Sequence, residues 1–282
     1  IPGFILLLFG GFCLSWGGLI IRSFEEATVW QILLLRSVFF MFALIIFLFF
    51  TYKKNTFKII KDSGYPALIG GFVMSLSFIA FVVSMSKTSV ANVVFIISTQ
   101  TMFLALLGYF YLKEKVSFIS LITIILAMTG IIIMVGDSLT SGSFIGNLIA
   151  LAIPINFSIL VMIIRKNKNL DMVPAIFYSG IFSIIYGLIL SESFYFTTHD
   201  LYMGFLLGVP QLAFGFICIT IGSRTTPSTT IGLLMLTETI FAPIWVWLFL
   251  NEIPPMSVLL GGAIIILAII LKSFDKNKAL SG

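Results

Sequence analysis

Long apolar runs separated by short polar loops make up almost the whole chain. Ten runs of roughly membrane-crossing length follow one another, at approximately 2–21, 29–51, 65–86, 90–112, 117–135, 143–164, 173–190, 200–222, 226–250 and 254–272. A helix needs about 20 apolar residues to cross a hydrocarbon core of ~30 Å, whereas a membrane β-barrel strand needs only about ten alternating residues. The pattern therefore predicts an all-α integral membrane protein with ten transmembrane helices.

The composition agrees with this prediction. Of the 282 residues, 60% are apolar and 10% are charged, compared with roughly 45–50% and about 25% in soluble domains. This excludes a soluble enzyme, a nucleic-acid binder and a disordered chain. Metal spacings, a P-loop and the common hydrolase motifs are missing from the sequence, so we expect no enzyme activity, cofactor or metal. The expected partners are a small-molecule solute and the lipid bilayer.

The loop charges predict an orientation. With the N-terminus in the cytoplasm, thirteen of the sixteen Lys and Arg residues fall in cytoplasmic segments, and only Arg22 and Lys87 fall outside. Such a split follows the positive-inside rule, and an odd number of spans would scramble it. We expect a multi-pass protein of the plasma or inner membrane with both termini in the cytoplasm.

The two halves of the chain resemble each other. A shift of 138 positions aligns residues 70–132 with 208–270 without a gap. It also brings the polar residues Thr99, Thr101 and Glu114 onto Thr237, Thr239 and Glu252. Each half, 1–138 and 139–282, holds five runs, so the second half must enter the membrane upside down. Inverted repeats are common in secondary transporters, where they open a central site alternately to each side.

Short motifs within the runs resemble a known family. Runs one and two carry LSWGGLIIRS (14–23) and WQILLLRSVFF (30–40), and runs four and nine end in YLKE (111–114) and FLNE (249–252). These motifs are similar to those of the drug/metabolite transporter superfamily, in its EamA-type ten-span branch. The chain departs from the family at 237–243, TETIFAP, where Thr239 replaces a usual proline. The resemblance implies two inverted five-helix repeats around a central cavity and transport of small organic solutes, often export.

Two formally charged residues lie well inside the runs, Arg36 and Glu238. A charge at the bilayer centre costs ~2.5–3.5 kcal/mol on insertion scales, so each is a candidate functional residue. Glu238 can carry a proton as the coupling residue, hold a substrate ammonium, or lock run nine to a neighbour. Arg36 can bind a substrate carboxylate, pair with Glu238, or extend outward to lipid phosphate.

The other candidates for the substrate site are amides and tryptophans within the runs: Trp16, Asn92, Gln100, Asn156, Gln211 and Trp245. Gln100 is the repeat partner of Glu238. Asn156 and Gln211 follow prolines, which free a backbone carbonyl one turn back. Trp245 lies two helical turns after Glu238 on the same face. The alternative role for the amides is to join helices.

Two further features have structural interpretations. Glu114 and Glu252 end matched runs, where each is expected to cap the next helix, run five or run ten. Gly204 and Gly208 have a spacing that lets helices approach closely, and we expect them to pack within a monomer.

The resulting functional hypothesis is a secondary transporter that exports amino acids or related metabolites by alternating access, with protons as the candidate coupling ion. The alternative is uptake or exchange of a nucleotide-like or sulfonium solute. A channel and a membrane enzyme are more distant alternatives.

Overall fold

The protein is described here from a computed structural model that covers residues 2–88, 90–114, 117–135, 144–250 and 256–273. Within these ranges, the side chains at 91, 92, 95, 131, 134, 135, 246, 250, 258, 272 and 273 are not described. The helices of these ranges are α1 Gly3–Leu14, α2 Gly17–Arg22, α3 Val29–Tyr52, α4 Thr56–Asp62, α5 Gly64–Lys87, α6 Val90–Ser98, α7 Gln100–Leu112, α8 Phe118–Val135, α9 Phe144–Ala150, α10 Ala152–Lys166, α11 Val173–Leu190, α12 Thr198–Leu206, α13 Phe214–Ser223, α14 Ser228–Leu250 and α15 Met256–Ser273. A 3₁₀ turn, Lys53–Asn55, precedes α4, and a π-helical segment, Leu207–Ala213, joins α12 to α13.

Each of the ten predicted runs is helical within the described part of the chain. Seven helical stretches are long and apolar enough to cross a membrane: Gly3–Arg22, Val29–Asp62, Gly64–Lys87, Phe144–Lys166, Val173–Leu190, Thr198–Ser223 and Ser228–Phe249. Three shorter apolar helices lie at Ile96–Leu112, Phe118–Gly130 and Leu259–Leu271. Large apolar side chains cover the outer surface, for example Phe50 at 80% and Ile189 at 73% exposure. Such a surface suits lipid rather than water.

Several of the ten runs have an interruption within their helical stretch. The first breaks at residues 15–16, between α1 and α2; the fourth breaks at Thr99; and the sixth breaks at Leu151. In run eight, the π-helical segment contains Pro210. Proline has no backbone N–H, so it interrupts the hydrogen bonds of the α-helix there. Irregular backbone at membrane depth is tolerated where it is buried in protein or lines a cavity.

The helices pack in pairs drawn from both halves of the chain. Helix α5 packs against α10 and α11, while α13 packs against α1, and the π-helical segment packs against α3. Helix α7 packs against α10 and α14, α1 against α14, α3 against α11, and α8 against α15. The interior between these helices is therefore shared by the two halves.

Gly204 lies on α12 and Gly208 lies in the π-helical segment, and together they allow run eight to lie close to α3, as their spacing predicts. A β-carbon at residue 208 would lie 2.5 Å from the backbone oxygen of Arg36, and one at residue 204 would lie 2.9 Å from Cβ of Leu35. Only glycine fits at such distances. The contact fixes the segment of α3 that carries Arg36.

Candidate functional site

A small cavity lies among α1, α3, α5, α6, α7, α10, α13, α14 and the π-helical segment. We call it the central cavity; its volume is about 50 Å³, and its polar lining residues are Arg36, Ser77, Gln100, Gln211 and Glu238. The rest of its wall is apolar or aromatic. Each helix interruption adjoins a lining residue: Leu14 precedes the first break, Gln100 follows the second, Ile153 follows the third, and Gln211 lies in the π-helical segment. The irregular backbone thus converges on this cavity.

Arg36 lies in the wall with only 1% of its surface exposed. Its guanidinium carbon is 5.0 Å from the centre of the Phe78 ring and 5.5 Å from that of Phe81. Its Nε and Nη1 atoms are buried and have no hydrogen-bond partner among the described residues. Because a guanidinium stays charged in proteins, the site holds a positive charge, and two of its nitrogen atoms have no acceptor in the described part of the chain.

Glu238 enters the same cavity from α14 and is 7% exposed. In the described part of the structure its carboxyl group has neither a hydrogen bond nor an ion pair with another residue. Its neighbour Thr239 is bonded to Ser98 of α6, with 2.5 Å between the hydroxyl oxygens. That bond fixes α14 against the end of α6 at the level of Glu238.

Gln211 connects the cavity to the first break. Its Nε2 donates to the backbone oxygen of Leu14 at 3.2 Å, which satisfies a carbonyl at the end of α1. Its Oε1 is buried and has no hydrogen-bond partner within the described ranges. Gln100 is 3% exposed and begins α7 directly after the second break. The cavity therefore combines two ionisable groups with two amides.

Trp16 and Trp245 lie away from the central cavity. Trp16 lines a second, largely apolar cavity of about 560 Å³, which also borders Gln211. Trp245 stacks on Trp16 with 4.0 Å between ring centroids, and its Nε1 donates to Ser15 Oγ at 2.7 Å. Trp245 is thus held between α1 and α14 and lines neither cavity.

Of the two remaining candidates, one can be placed relative to the cavities. Asn156 on α10 is half-buried and lies outside the walls of both cavities. Asn92 belongs to α6, and its side chain falls outside the described part of the structure.

A second polar cluster lies at the end of the bundle where α7, α10 and α13 finish and α14 begins; we call it the basic-end cluster. Glu114 forms an ion pair with Arg165, at 2.5 Å from its Nη2 and 2.7 Å from its Nε. The other carboxylate oxygen of Glu114 accepts from the backbone N–H of Ser228 at 2.9 Å. Arg165 also donates to the backbone oxygens of Thr226 and Ser223. One carboxylate thus joins the ends of three helices.

The expected role of Glu114 was to cap the next helix, run five. Within the described residues its carboxylate caps α14 instead, by accepting from the backbone N–H of Ser228. Sequence reasoning did not identify Arg165 as its partner. The corresponding role of Glu252 lies outside the described residues.

Comparisons with known proteins agree with this architecture. The chain matches the model of the EamA-like transporter family over residues 1–136 and 144–274. An uncharacterized transporter of Clostridium kluyveri is 26% identical over 236 residues, which cover 78% of this chain and 75% of the relative. A solved crystal structure covers 99% of each chain with a TM-score of 0.79 at 13% identity, which shows a shared fold only. Because the family model covers nearly the whole chain, the protein belongs to the EamA-like transporter family of the drug/metabolite transporter superfamily and is a multi-pass membrane protein.

Proposed function

We propose that the chain is a secondary transporter that exports amino acids or related metabolites by alternating access at the central cavity. The observation that carries the proposal is the presence of two buried charges, Arg36 and Glu238, on the wall of one cavity between the two halves of the chain. A charge inside the membrane is costly, and it is commonly found on a substrate or ion pathway.

The proposed architecture is ten transmembrane helices in two inverted repeats, 1–138 and 139–282. The helix packing supports it. When each helix is replaced by its counterpart in the other half, the contacts that result are also observed in the structure. Helix α5 against α10 corresponds to α13 against α1, and α7 against α10 corresponds to α14 against α1. The pairs α3–α11, α7–α14 and α8–α15 map onto themselves. Two matches to one family model, in 1–136 and 144–274, also support a repeat.

Alternating access requires the two ends of the bundle to open in turn. At the basic end, the Glu114–Arg165 pair and its bonds to Thr226 and Ser228 hold three helix ends together. Opening at this end has to separate them. The loop charges orient the basic end and both termini toward the cytoplasm.

The test is counterflow in proteoliposomes that contain the purified full chain. Vesicles preloaded with a mixture of the common amino acids should accumulate labelled amino acids transiently, and Gly262→Ala, at a position where a β-carbon meets nothing within 4 Å, should behave like the wild type. Accumulation no greater than in protein-free vesicles would reject amino acids as the solute. Accumulation of labelled nucleosides or sulfonium compounds instead would favour the uptake or exchange alternative.

We further propose that Glu238 carries the coupling proton. An imposed pH gradient should then drive amino-acid accumulation in wild-type vesicles but not in Glu238→Gln vesicles, which should retain counterflow at a reduced rate. If the variant keeps full gradient-driven accumulation, Glu238 is not the coupling residue.

A further inference from the structure

We infer that the central cavity recognises two opposite charges on one solute, with Arg36 binding a carboxylate and Glu238 binding an ammonium group. The inference deepens the proposed transport function and rests on it. It assigns the solute to a class, small zwitterions that carry both groups unmodified.

The carboxylate subsite follows from the surroundings of Arg36. Two phenyl rings flank the guanidinium, and no acidic side chain of the described residues pairs with it. Cation–π contact involves the face of the ring and not a hydrogen-bond acceptor, so it leaves the Nε and Nη1 donors without a hydrogen-bond partner among the described residues. A solute carboxylate can accept from this planar fork with two parallel hydrogen bonds.

The ammonium subsite follows from Glu238. Its carboxyl group is buried at the cavity wall and is not bonded to any residue in the described ranges. The Oε1 atom of Gln211, on the same wall, is a second acceptor without a partner. An ammonium group has three donors and no acceptor, so it matches a wall that offers a carboxylate and an amide oxygen.

One solute satisfies both subsites better than two ions do. Arg36 and Glu238 come from different helices, α3 and α14, and they line one cavity without pairing with each other. A zwitterion introduces both counter-charges with no net charge. A water needs roughly 10–15 Å³ of cavity volume, so the cavity accommodates a head group of only a few non-hydrogen atoms in this conformation.

The experiment uses three solute mixtures: the common amino acids, their N-acetyl derivatives, which lack the ammonium, and their methyl esters, which lack the carboxylate. Thermal unfolding of the detergent-purified full chain is followed against the concentration of each mixture, since a ligand that binds only the folded state stabilises it by RT ln(1 + [L]/Kd). We expect the free amino acids to stabilise the wild type, and each derivative to bind more weakly by about tenfold to a hundredfold.

The variants separate the two subsites. Glu238→Gln should abolish the preference for free amino acids over N-acetyl derivatives and keep the preference over methyl esters. Arg36→Gln should do the reverse. Glu238→Asp retains the charge, so it should weaken binding without changing either preference. This provides a second test if the amide variant does not fold.

Three outcomes would overturn the inference: a derivative that stabilises the wild type as well as the free amino acids, a variant that changes both preferences equally, or no stabilisation by any mixture. Counterflow distinguishes this failure from failure of the proposed function. If vesicles exchange amino acids while both derivatives compete equally, transport stands and recognition of both charges is wrong. If vesicles exchange no amino acid, the proposed function itself fails.

Discussion

Two pairs of opposite charges in this chain have opposite surroundings. At the basic end, Arg165 and Glu114 remain 17% and 15% exposed, yet they are paired with each other and with backbone groups of two further segments. In the central cavity, Arg36 and Glu238 are 1% and 7% exposed, yet neither forms an ion pair with another residue in the described part of the chain. The charges with the greater desolvation cost therefore have fewer protein partners.

The difference separates structural charges from functional ones. A buried polar group without a partner costs free energy, and such groups are retained where they serve function. The basic-end pair stabilises the conformation described here. Among the described residues Arg36 contacts the Phe78 and Phe81 rings, and neither Arg36 nor Glu238 has an ion-pair partner. We therefore propose that a solute supplies their partners. The following predictions test this distinction in order of expected effect.

The largest effect is expected when a central charge is removed. Arg36→Met should reduce amino-acid counterflow by at least about a hundredfold, because it deletes a bidentate charged contact to the solute. The same variant should keep or raise the Tm, since an apolar side chain of similar length replaces an unpaired buried charge. Flux and thermal unfolding measured on one preparation check both parts. A clear loss of Tm would mean that Arg36 has a structural partner.

A smaller effect, on stability, is expected when the basic-end pair is broken. Arg165→Met removes a charged hydrogen-bond donor from Glu114 and from two backbone carbonyls, and should lower the free energy of unfolding by about 1–3 kcal/mol. Lys168→Met removes one positive charge from an exposed side chain at the same end and serves as the control. Equal Tm values for the two variants would show that the ion pair contributes nothing.

Close packing behind Arg36 gives the third prediction. Gly208→Ala forces a β-carbon against the backbone oxygen of Arg36, and overpacking of this kind costs about 1–3 kcal/mol. It should also slow counterflow, because α3 shifts at the site. Gly262→Ala, where a β-carbon meets open space, is the matched control. If the two variants have the same Tm, the π-helical segment does not pack on α3 this closely.

The smallest effect is expected at Gln211. Gln211→Leu removes the hydrogen bond to the backbone oxygen of Leu14 and should cost about 1 kcal/mol. Gln211→Glu keeps an acceptor at the ammonium subsite, so it should retain more amino-acid binding than the leucine variant. Thermal unfolding with and without the amino-acid mixture distinguishes the two. Equal binding by both variants would remove Gln211 from the site.

The helices could be predicted from the sequence to within a few residues. Run seven, predicted at 173–190, forms Val173–Leu190, because an uninterrupted apolar run has only one stable conformation in lipid. The interruption at Leu151 has a signal in Pro154, which lacks the N–H that would bond to the carbonyl of Ala150. The interruption at Thr99 could not be predicted, since no glycine or proline lies within four residues of it. Helix breaks of this kind depend on packing around a cavity and not on local propensity.

The site could be predicted only in part. Arg36, Gln100, Gln211 and Glu238 were candidates because they are polar within apolar runs, and all four line the central cavity. The sequence did not distinguish Trp245 as a residue held by Trp16 and Ser15. It also did not indicate that Glu114 bonds to Ser228, because the two residues are 114 positions apart. Side-chain partners across such distances are determined by the tertiary fold.

The most direct test compares Arg36→Met with Arg165→Met in one thermal-unfolding experiment, with and without the amino-acid mixture. The account predicts that Arg36→Met keeps the Tm of the wild type without solute and loses the rise in Tm on adding solute. It predicts the reverse for Arg165→Met, a lower Tm without solute and a retained rise. A lower Tm together with a retained rise in Arg36→Met would contradict the distinction between central charges reserved for the solute and basic-end charges that hold the fold.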